Sequence, residues 1–287
     1  MHVLVLGGTG FVGSAVQSAL AARDIGYSTL SRSAHARPNH IQADITDRRR
    51  LAAAAAGADV VVNLVAASPL LPAGNTHVYY HRHLRGVNAI LSVLGALPGT
   101  RLIHVGALGV EESSRAGYAW TKARAERLVR ESGVPALVLS PAILFGDGSE
   151  LVDTLDLLAR LPIAPLPRIP SPFQPLAVTD LAEVIAMAVE GFDRVARPGT
   201  RQLEVAGPDV MSGTEFAGLF LSSRSTPVIE FPRGFVSAAI GVASGLRVPG
   251  FPVDLPRMLA MQNAATGRFP LYVTQQRYES WLAQHER

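Results

Sequence analysis

The chain has 287 residues, 48% hydrophobic and 17% charged, so it can bury a sizeable core and is not a disordered segment. Its pI near 9.6 reflects a net charge of only +3, and because the basic residues are scattered, nucleic acid is not expected as a partner. The absence of cysteine excludes disulfides and thiolate metal sites and favours a cytoplasmic location.

The chain opens with a strand, a glycine turn and a helix. The apolar run from Val3 to Leu6 indicates a buried parallel strand, and a helix is predicted from Ser14 onward. Glycines between them let the backbone approach a pyrophosphate, which the free N–H groups at the helix start would bind. We therefore predict a dinucleotide site formed by the turn residues Gly7, Thr9, Gly10, Phe11, Val12 and Gly13.

The second predicted strand, Tyr27 to Leu30, leads into the segment that selects the cofactor. An NAD enzyme places an acidic residue about 20 positions beyond the glycines, whereas Arg32 lies 19 positions beyond Gly13 and no acid replaces it. A guanidinium fork suits the 2′-phosphate of NADP. The alternative is an ordinary surface arginine. We predict NADP(H), bound in part by Ser31, Arg32 and Ser33.

Strands and helices alternate through the rest of the first half, which predicts an α/β fold with a doubly wound parallel sheet. Asp47 is predicted to cap the second helix. A loop is expected over residues 66–79, followed by a helix from about Tyr80 to Leu97. His81 and His83 on this helix are two residues apart and share no helical face, so no metal site is predicted. Further strands are predicted at 40–43, 59–65, 101–105 and 135–140.

A change in composition after Ser140 suggests two parts, a dinucleotide-binding domain over residues 1–140 and a smaller substrate-side lobe over 141–287 that packs partly back on the sheet. Six prolines in residues 161–175 predict an extended loop. Residues 180–190 predict a helix that starts with a capping box between Asp180 and Glu183. The apolar stretch of 13 residues from 234 to 246 is too short to span a bilayer.

The clearest chemical signal is the pair Tyr118 and Lys122, which opens a helix after the fifth strand. Residues four apart share a helical face, and a nearby cation favours the phenolate of a tyrosine, so lysine makes the phenol a usable acid or base. Lys122 is the only lysine beside 25 arginines. Because arginine could serve as a surface cation at this position, we predict a catalytic role for the pair.

Several motifs together resemble one family. They are the glycine turn, Tyr118 with Lys122, the segment Ser140 to Gly146, and the segment Phe173 to Asp180. They are similar to the extended and atypical short-chain dehydrogenase/reductases, especially the NAD(P)-binding proteins like the 39-kDa accessory subunit of respiratory complex I. The resemblance covers roughly residues 1–210.

The resemblance also implies roles for individual residues. The glycine turn holds the pyrophosphate, the residue at Arg32 distinguishes NADP from NAD, and Lys122 also holds the nicotinamide ribose. Asp44 and Ile45 border the adenine, while the segment from Pro141 to Ile143 lines the nicotinamide. Leu64 and Val65, which end the fourth predicted strand, complete the cofactor set.

Two departures from the family pattern bear on activity. Gly106 stands where active members carry a serine or threonine that polarises the substrate carbonyl, so Ser113 or Ser114 is expected to substitute from the loop. Ser140 stands where enzymes acting on nucleotide sugars carry arginine, which disfavours a UDP-sugar substrate.

Two functions remain open from the sequence. One is an NADP(H)-dependent oxidoreductase that acts on a small apolar carbonyl or alcohol, as a monomer or homodimer, with Tyr118 as proton donor. The other is a non-catalytic NADP(H)-binding redox sensor or accessory protein. A methyltransferase, which also has a glycine turn after its first strand, is disfavoured by Arg32 and by the Tyr118 and Lys122 pair.

Overall fold

The computed structural model describes residues 1–35, 38–68, 77–232, 234–235 and 261–285. Fourteen strands occur in these residues: β1 His2–Leu6, β2 Gly26–Ser31, β3 His40–Gln42, β4 Val60–Asn63, β5 Arg101–Val105, β6 Ala136–Pro141, β7 Leu144–Phe145, β8 Ala164–Pro167, β9 Pro172–Phe173, β10 Leu176–Ala177, β11 Gln202–Ala206, β12 Met211–Ser212, β13 Val228–Phe231 and β14 Leu271–Val273.

Helices connect these strands. The α-helices are α1 Phe11–Ala21, α2 Arg48–Ala55, α3 His77–Tyr79, α4 Gly86–Leu94, α5 Gly117–Glu131, α6 Glu150–Ala159, α7 Val178–Glu190, α8 Gly213–Ser223 and α9 Tyr278–Gln284. A π-helical turn, Tyr80–Arg85, joins α3 to α4, and a short 3₁₀ turn spans Phe192–Arg194. Within the described part of the chain, no helix combines the length and apolar character needed to cross a membrane.

Eight of the strands form one parallel sheet in the order β14-β11-β6-β5-β4-β1-β2-β3. Both faces are apolar because helices cover both, which is why strands such as β4 are buried at every position. One face packs against α1 and α7, and the other against α2, α4 and α5. The predicted doubly wound α/β fold is confirmed. The strand order reverses between β1 and β4, where ligands bind at the carboxyl ends.

The carboxy-terminal half contributes both to this sheet and to a separate cluster. Strands β11 and β14 extend the sheet beyond β6, while α7 packs on α1. A third apolar cluster forms around Phe145, Phe216 and Tyr278, with α6 and α8 against short strand pairs. The proline-rich segment is extended, as predicted. Its strands β8 and β9 pair only in these small two-strand sheets.

Three local predictions need correction. The helix predicted from Asp180 begins at Val178, and the Asp180 carboxylate accepts the backbone N–H groups of Gln275 and Gln276, so the predicted capping box is wrong. The helix predicted from Tyr80 begins at His77, inside the predicted loop. Residues 69–76 of that loop lie outside the described residues. Asp47, by contrast, accepts the Arg50 N–H and caps α2 as predicted.

Candidate functional site

The glycine turn is shaped by close backbone contacts. Gly7 has φ +81°, a conformation that glycine adopts without strain, and its carbonyl accepts the Gly10 N–H at 3.1 Å. A Cβ on Gly13 would lie 2.4 Å from the Gly8 carbonyl oxygen, so only glycine fits there. Gly10 caps α1 without a side chain, which leaves the first N–H groups of the helix available to an anion.

A cleft of about 230 Å³ opens beside this turn, at the carboxyl ends of β1, β2 and β4. Ten of the predicted cofactor residues line it: Gly7, Thr9, Gly10, Ser31, Arg32, Ser33, Asp44, Ile45, Leu64 and Val65. The structure therefore brings together residues that four separate segments contribute. The glycines allow close approach to the backbone, and the arginine carries a positive charge; both properties suit the phosphates of a dinucleotide.

The other predicted cofactor residues lie outside the lining of this cleft. Phe11 and Val12 open α1, and Gly13 packs against the turn. The Pro141 carbonyl accepts the Leu108 N–H, and the Ile143 N–H donates to Asn263. Contacts between these residues and a nicotinamide stay predictions.

Arg82 and His81 also line the cleft, although neither was predicted as a cofactor residue. They lie on the π-helical turn, whose wider hydrogen-bonding ring is an uncommon feature often found at functional sites. Arg82 donates to the Ala66 carbonyl at 3.0 Å, and burial together with the neighbouring Arg32 charge lowers the pKa of Arg82. The cleft thus holds two guanidinium groups rather than the one predicted.

Asp44 is the carboxylate that lines the cleft with these arginines. Burial alone would raise the pKa of Asp44. Hydrogen bonds from the Thr46 N–H at 2.9 Å and hydroxyl at 2.7 Å, with the charges of His81 and Arg32, instead hold it below its ordinary value. Asp44 is therefore ionised, and the cleft combines two arginine charges with one negative charge.

Lys122 is buried beneath the end of β5, with a relative exposure of 4%. Its Nζ donates to the carbonyl of Val105 at 3.0 Å and to that of Gly106 at 3.3 Å. An ammonium has three N–H groups, so these two bonds leave one for another partner. Burial lowers the pKa of Lys122, while the charge of Glu126 opposes that effect.

Tyr118 lies one helical turn before Lys122, as predicted, and its half-buried ring is surrounded by aromatic groups. The ring packs edge-on against Tyr79, with centroids 5.8 Å apart, and against His83 at 5.5 Å. Burial, followed by the neighbouring Tyr79 and Glu126, raises the pKa of Tyr118. The phenol is consequently protonated at neutral pH, the form that can donate a proton.

His83 fixes the position of this aromatic group. The Ala67 N–H donates to its Nε2 at 3.2 Å, so the neutral ring carries its proton on Nδ1, which contacts the Thr121 hydroxyl at 2.8 Å. Burial and the charge of Lys122 lower the pKa of His83 well below its ordinary value. A neutral histidine thus ties the π-helical turn to α5 beside Tyr118.

Glu126 occupies the space where the missing strand-end side chain would point. A Cβ on Gly106 would lie 1.9 Å from the Glu126 Oε1 atom. This carboxylate accepts the Ala107 N–H at 2.8 Å and the Gln202 amide at 2.8 Å, and the Ser140 hydroxyl at 3.3 Å. The space beside Gly106 is therefore occupied by the Glu126 carboxylate. The four-residue spacing from Lys122 was the signal for Glu126 in the sequence.

The two serines predicted to replace the strand-end hydroxyl lie in the loop before α5. The exposed Ser113 hydroxyl donates to Glu111 at 2.9 Å, and the Ser114 hydroxyl accepts the Ala116 N–H at 3.1 Å. Both hydroxyls therefore form hydrogen bonds within the segment that precedes α5. Their role as donors to a substrate oxygen stays a prediction.

His104 on β5 is a second buried histidine near Lys122. Its Nδ1 contacts the Asn63 amide nitrogen at 2.9 Å, while the Asn63 Oδ1 accepts the Val65 N–H at 3.1 Å. The amide therefore donates, and the His104 proton is on Nε2, which has no partner among the described residues. Burial, with a smaller effect of the Lys122 charge, lowers the pKa of His104 to about 3.

We expect this histidine to make the protein acid-sensitive. Between pH 6.5 and about 3 the unfolded chain binds a proton at His104 that the folded chain does not, so stability falls as pH falls. The loss is about 1.4 kcal/mol per pH unit. Urea unfolding at several pH values should show a flatter dependence for His104→Gln, reduced rather than abolished because His83 contributes with the same sign. Equal slopes would contradict this expectation.

The chain is similar to several known proteins. The profile of the NAD dependent epimerase/dehydratase family matches residues 3–161. Among solved structures, the human epimerase family protein SDR39U1 (isoform2) with NADPH superposes with a TM-score of 0.69, covering 92% of this chain and 90% of that one at 22% identity. At that identity the likeness shows the shared fold.

Two curated proteins match parts of the chain. The 4-hydroxy-2-methyl-3-oxo-4-farnesyl-3,4-dihydroquinoline-1-oxide ketoreductase of Stigmatella aurantiaca is 30% identical over 174 residues, 51% of each chain. Subunit 9 of the NADH dehydrogenase [ubiquinone] 1 alpha subcomplex, mitochondrial, of Dictyostelium discoideum is 29% identical over 128 residues, 44% of this chain and 34% of that protein. The chain thus spans about half of the length of the first relative and about a third of the second. The resemblance inferred from the motifs is confirmed.

Proposed function

Because this chain belongs to the NAD dependent epimerase/dehydratase family, we propose that it is an NADP(H)-dependent oxidoreductase that reduces an apolar carbonyl substrate. The observation that carries the proposal is the anchoring of the only lysine, Lys122, one helical turn from Tyr118 with its ammonium held at the end of β5. A surface lysine would have no reason to be buried there, since burying a charge is costly without a partner.

The chemistry follows from the protonation states of the two residues. NADPH, when bound, would supply the hydride to the carbonyl carbon. The protonated phenol of Tyr118 donates its proton to the carbonyl oxygen, and the charge of Lys122 stabilises the phenolate that remains. The third N–H of Lys122 is suited to a ribose hydroxyl of the cofactor. His83 and Tyr79 hold the phenol ring in place.

The preference for NADP(H) is supported by the cleft beside the glycine turn. Arg32 and Arg82 offer two guanidinium groups against one carboxylate, Asp44, so these three side chains carry a net positive charge that favours an additional phosphate. An NAD site would present its carboxylate to the ribose hydroxyls at the Arg32 position instead.

We expect NADPH to bind roughly tenfold or more tightly than NADH, because a hydrogen bond to a charged group contributes about 1.5–3 kcal/mol. Titration of intrinsic fluorescence with both cofactors measures the ratio. Arg32→Ala should bring the ratio towards one, whereas Arg48→Ala, an exposed arginine at the start of α2, should leave it unchanged. Equal wild-type affinities would show that the 2′-phosphate is not recognised.

The apolar nature of the substrate is supported by a relative. The ketoreductase from Stigmatella aurantiaca carries a farnesyl group in the name of its substrate, and it matches half of this chain. We propose that this protein likewise reduces a ketone on a prenylated or similarly apolar ring. Ser113 or Ser114 would assist by donating to the substrate oxygen, and the protein would act as a monomer or homodimer.

A second function is favoured by the filled position beside Gly106. The Glu126 carboxylate lies where active family members place the hydroxyl that polarises the carbonyl. A non-catalytic NADP(H)-binding sensor or accessory protein would need no such hydroxyl, and one relative is a subunit of NADH dehydrogenase. Oxidation of NADPH by purified protein with a panel of apolar ketones separates the two functions. Tight NADPH binding without turnover of any ketone would favour the accessory function.

A further inference from the structure

Four polar residues follow one face of α5 at intervals of four: Tyr118, Lys122, Glu126 and Arg130. Glu126 and Arg130 line a second cavity, of about 340 Å³. Its other walls include Ser140 on β6, the β11 residues Gln202 and Glu204, and the segment with Thr266 and Arg268. The helix face that carries the catalytic pair therefore continues into a polar cavity, which Ser113 also lines.

Lys122 and Glu126 hold the two ends of a single peptide group. The Lys122 ammonium donates to the Gly106 carbonyl at 3.3 Å, and the following N–H, that of Ala107, donates to Glu126 Oε1 at 2.8 Å. The peptide dipole is thus aligned between a cation and an anion. Glu126 itself is only 4% exposed.

We propose that Glu126 is a positioning residue whose negative charge keeps the buried ammonium of Lys122 protonated and, through the Gly106–Ala107 peptide, fixed beneath Tyr118. The consequence for catalysis rests on the proposed function, whereas the effect on the charge of Lys122 does not. Glu126 would act on the reaction through Lys122, from the N–H side of the peptide whose carbonyl accepts the lysine.

Lys122 and Glu126 are ionisable groups that are both almost fully shielded from water. Burial lowers the pKa of Lys122 and raises the pKa of Glu126 to about 7, while each charge opposes the effect of burial on the other, so Glu126 is ionised above about pH 7. The Gln202 amide at 2.8 Å and the Arg130 charge further stabilise the carboxylate. The other titratable groups near the pair are Tyr118, His83 and His104 and, across the cavity, Glu111, Glu112, Glu204 and Arg268.

A purely structural role for Glu126 makes a different prediction. If its function were only to accept the Ala107 N–H, then an amide oxygen would serve as well and the charge of Lys122 would not respond. Glu126→Gln removes the charge with almost no change of shape. Its amide N–H groups, however, face the Gln202 amide, so the exchange variant Glu126→Gln/Gln202→Glu provides a second test that preserves one acid and one amide.

The single lysine makes the experiment direct. Protein grown with lysine labelled with ¹³C at Cε gives one side-chain NMR signal, and its shift against pH reports the charge of Lys122 in the full chain. We expect proton binding by Lys122 to weaken roughly tenfold in Glu126→Gln and in the exchange variant. Glu131→Gln, the same substitution at an exposed position on α5, should leave the titration unchanged.

Two outcomes decide the inference. A Lys122 titration that is the same in wild type and in either folded variant would overturn it. A shifted titration supports it, and in an active protein kcat should then fall. If the titration is shifted in the variants but the wild-type protein fails to oxidise NADPH with any ketone tested, the proposed oxidoreductase function is overturned and the role of Glu126 remains.

Discussion

Tyr118→Phe should lower kcat for reduction of an active ketone by about 10²–10⁴-fold, the usual contribution of a positioned general acid. The substitution removes only the hydroxyl, so the ring keeps its edge-on contacts with Tyr79 and His83. Stopped-flow measurement of NADPH oxidation at saturating ketone gives the rate. Binding of NADPH should remain within a few-fold of wild type, because the lost group acts on the substrate.

The matched control for this substitution is Tyr80→Phe. Tyr80 is the next tyrosine in the chain after Tyr79 and is 54% exposed, so loss of its hydroxyl should leave kcat unchanged. Full activity of Tyr118→Phe would mean that the proton comes from another group and that the short-chain mechanism does not apply.

Removal of both cleft arginines should have the second large effect. In Arg32→Ala/Arg82→Ala, NADPH binding should weaken by about 10²–10⁴-fold, because each charged hydrogen bond to the phosphate contributes about 1.5–3 kcal/mol. NADH binding should change little. Calorimetric titration of the two single variants and the double variant shows whether the arginines bind the same phosphate, since their effects would then not be additive.

Arg85→Ala is the control for the second arginine. Arg85 is exposed at the end of the same π-helical turn, so its loss tests whether any arginine on this turn affects NADPH. If Arg82→Ala weakened NADPH and NADH equally, Arg82 would be acting on a part of the cofactor that both share. The preference for NADPH would then depend on Arg32 alone.

The cleft residues were predictable where a local pattern determines both position and chemistry. The glycine turn depends on contacts within seven consecutive residues, such as that between Gly13 and the Gly8 carbonyl. Arg32 directly follows β2, the second strand in the alternation of strands and helices. For such residues the chain order and the topology rules give the location.

Arg82, His83 and Glu126 could not be placed in the same way. Arg82 and His83 lie on a π-helical turn, whose hydrogen bonding differs from the period of 3.6 residues that was assumed for this segment. Glu126 was visible as part of a helix face, but its contact with Gly106 depends on how deeply α5 packs against β5. A glycine in the sequence shows that a side chain is absent, and only the packing shows which neighbour occupies the space.

Burial of Lys122 has a practical consequence for chemical labelling. The chain carries no other lysine, so the surface presents no side-chain amine to acylating or cross-linking reagents. Because Lys122 is only 4% exposed, the rate at which an acylating reagent modifies it reports how accessible Nζ becomes in the native protein, without any engineered probe.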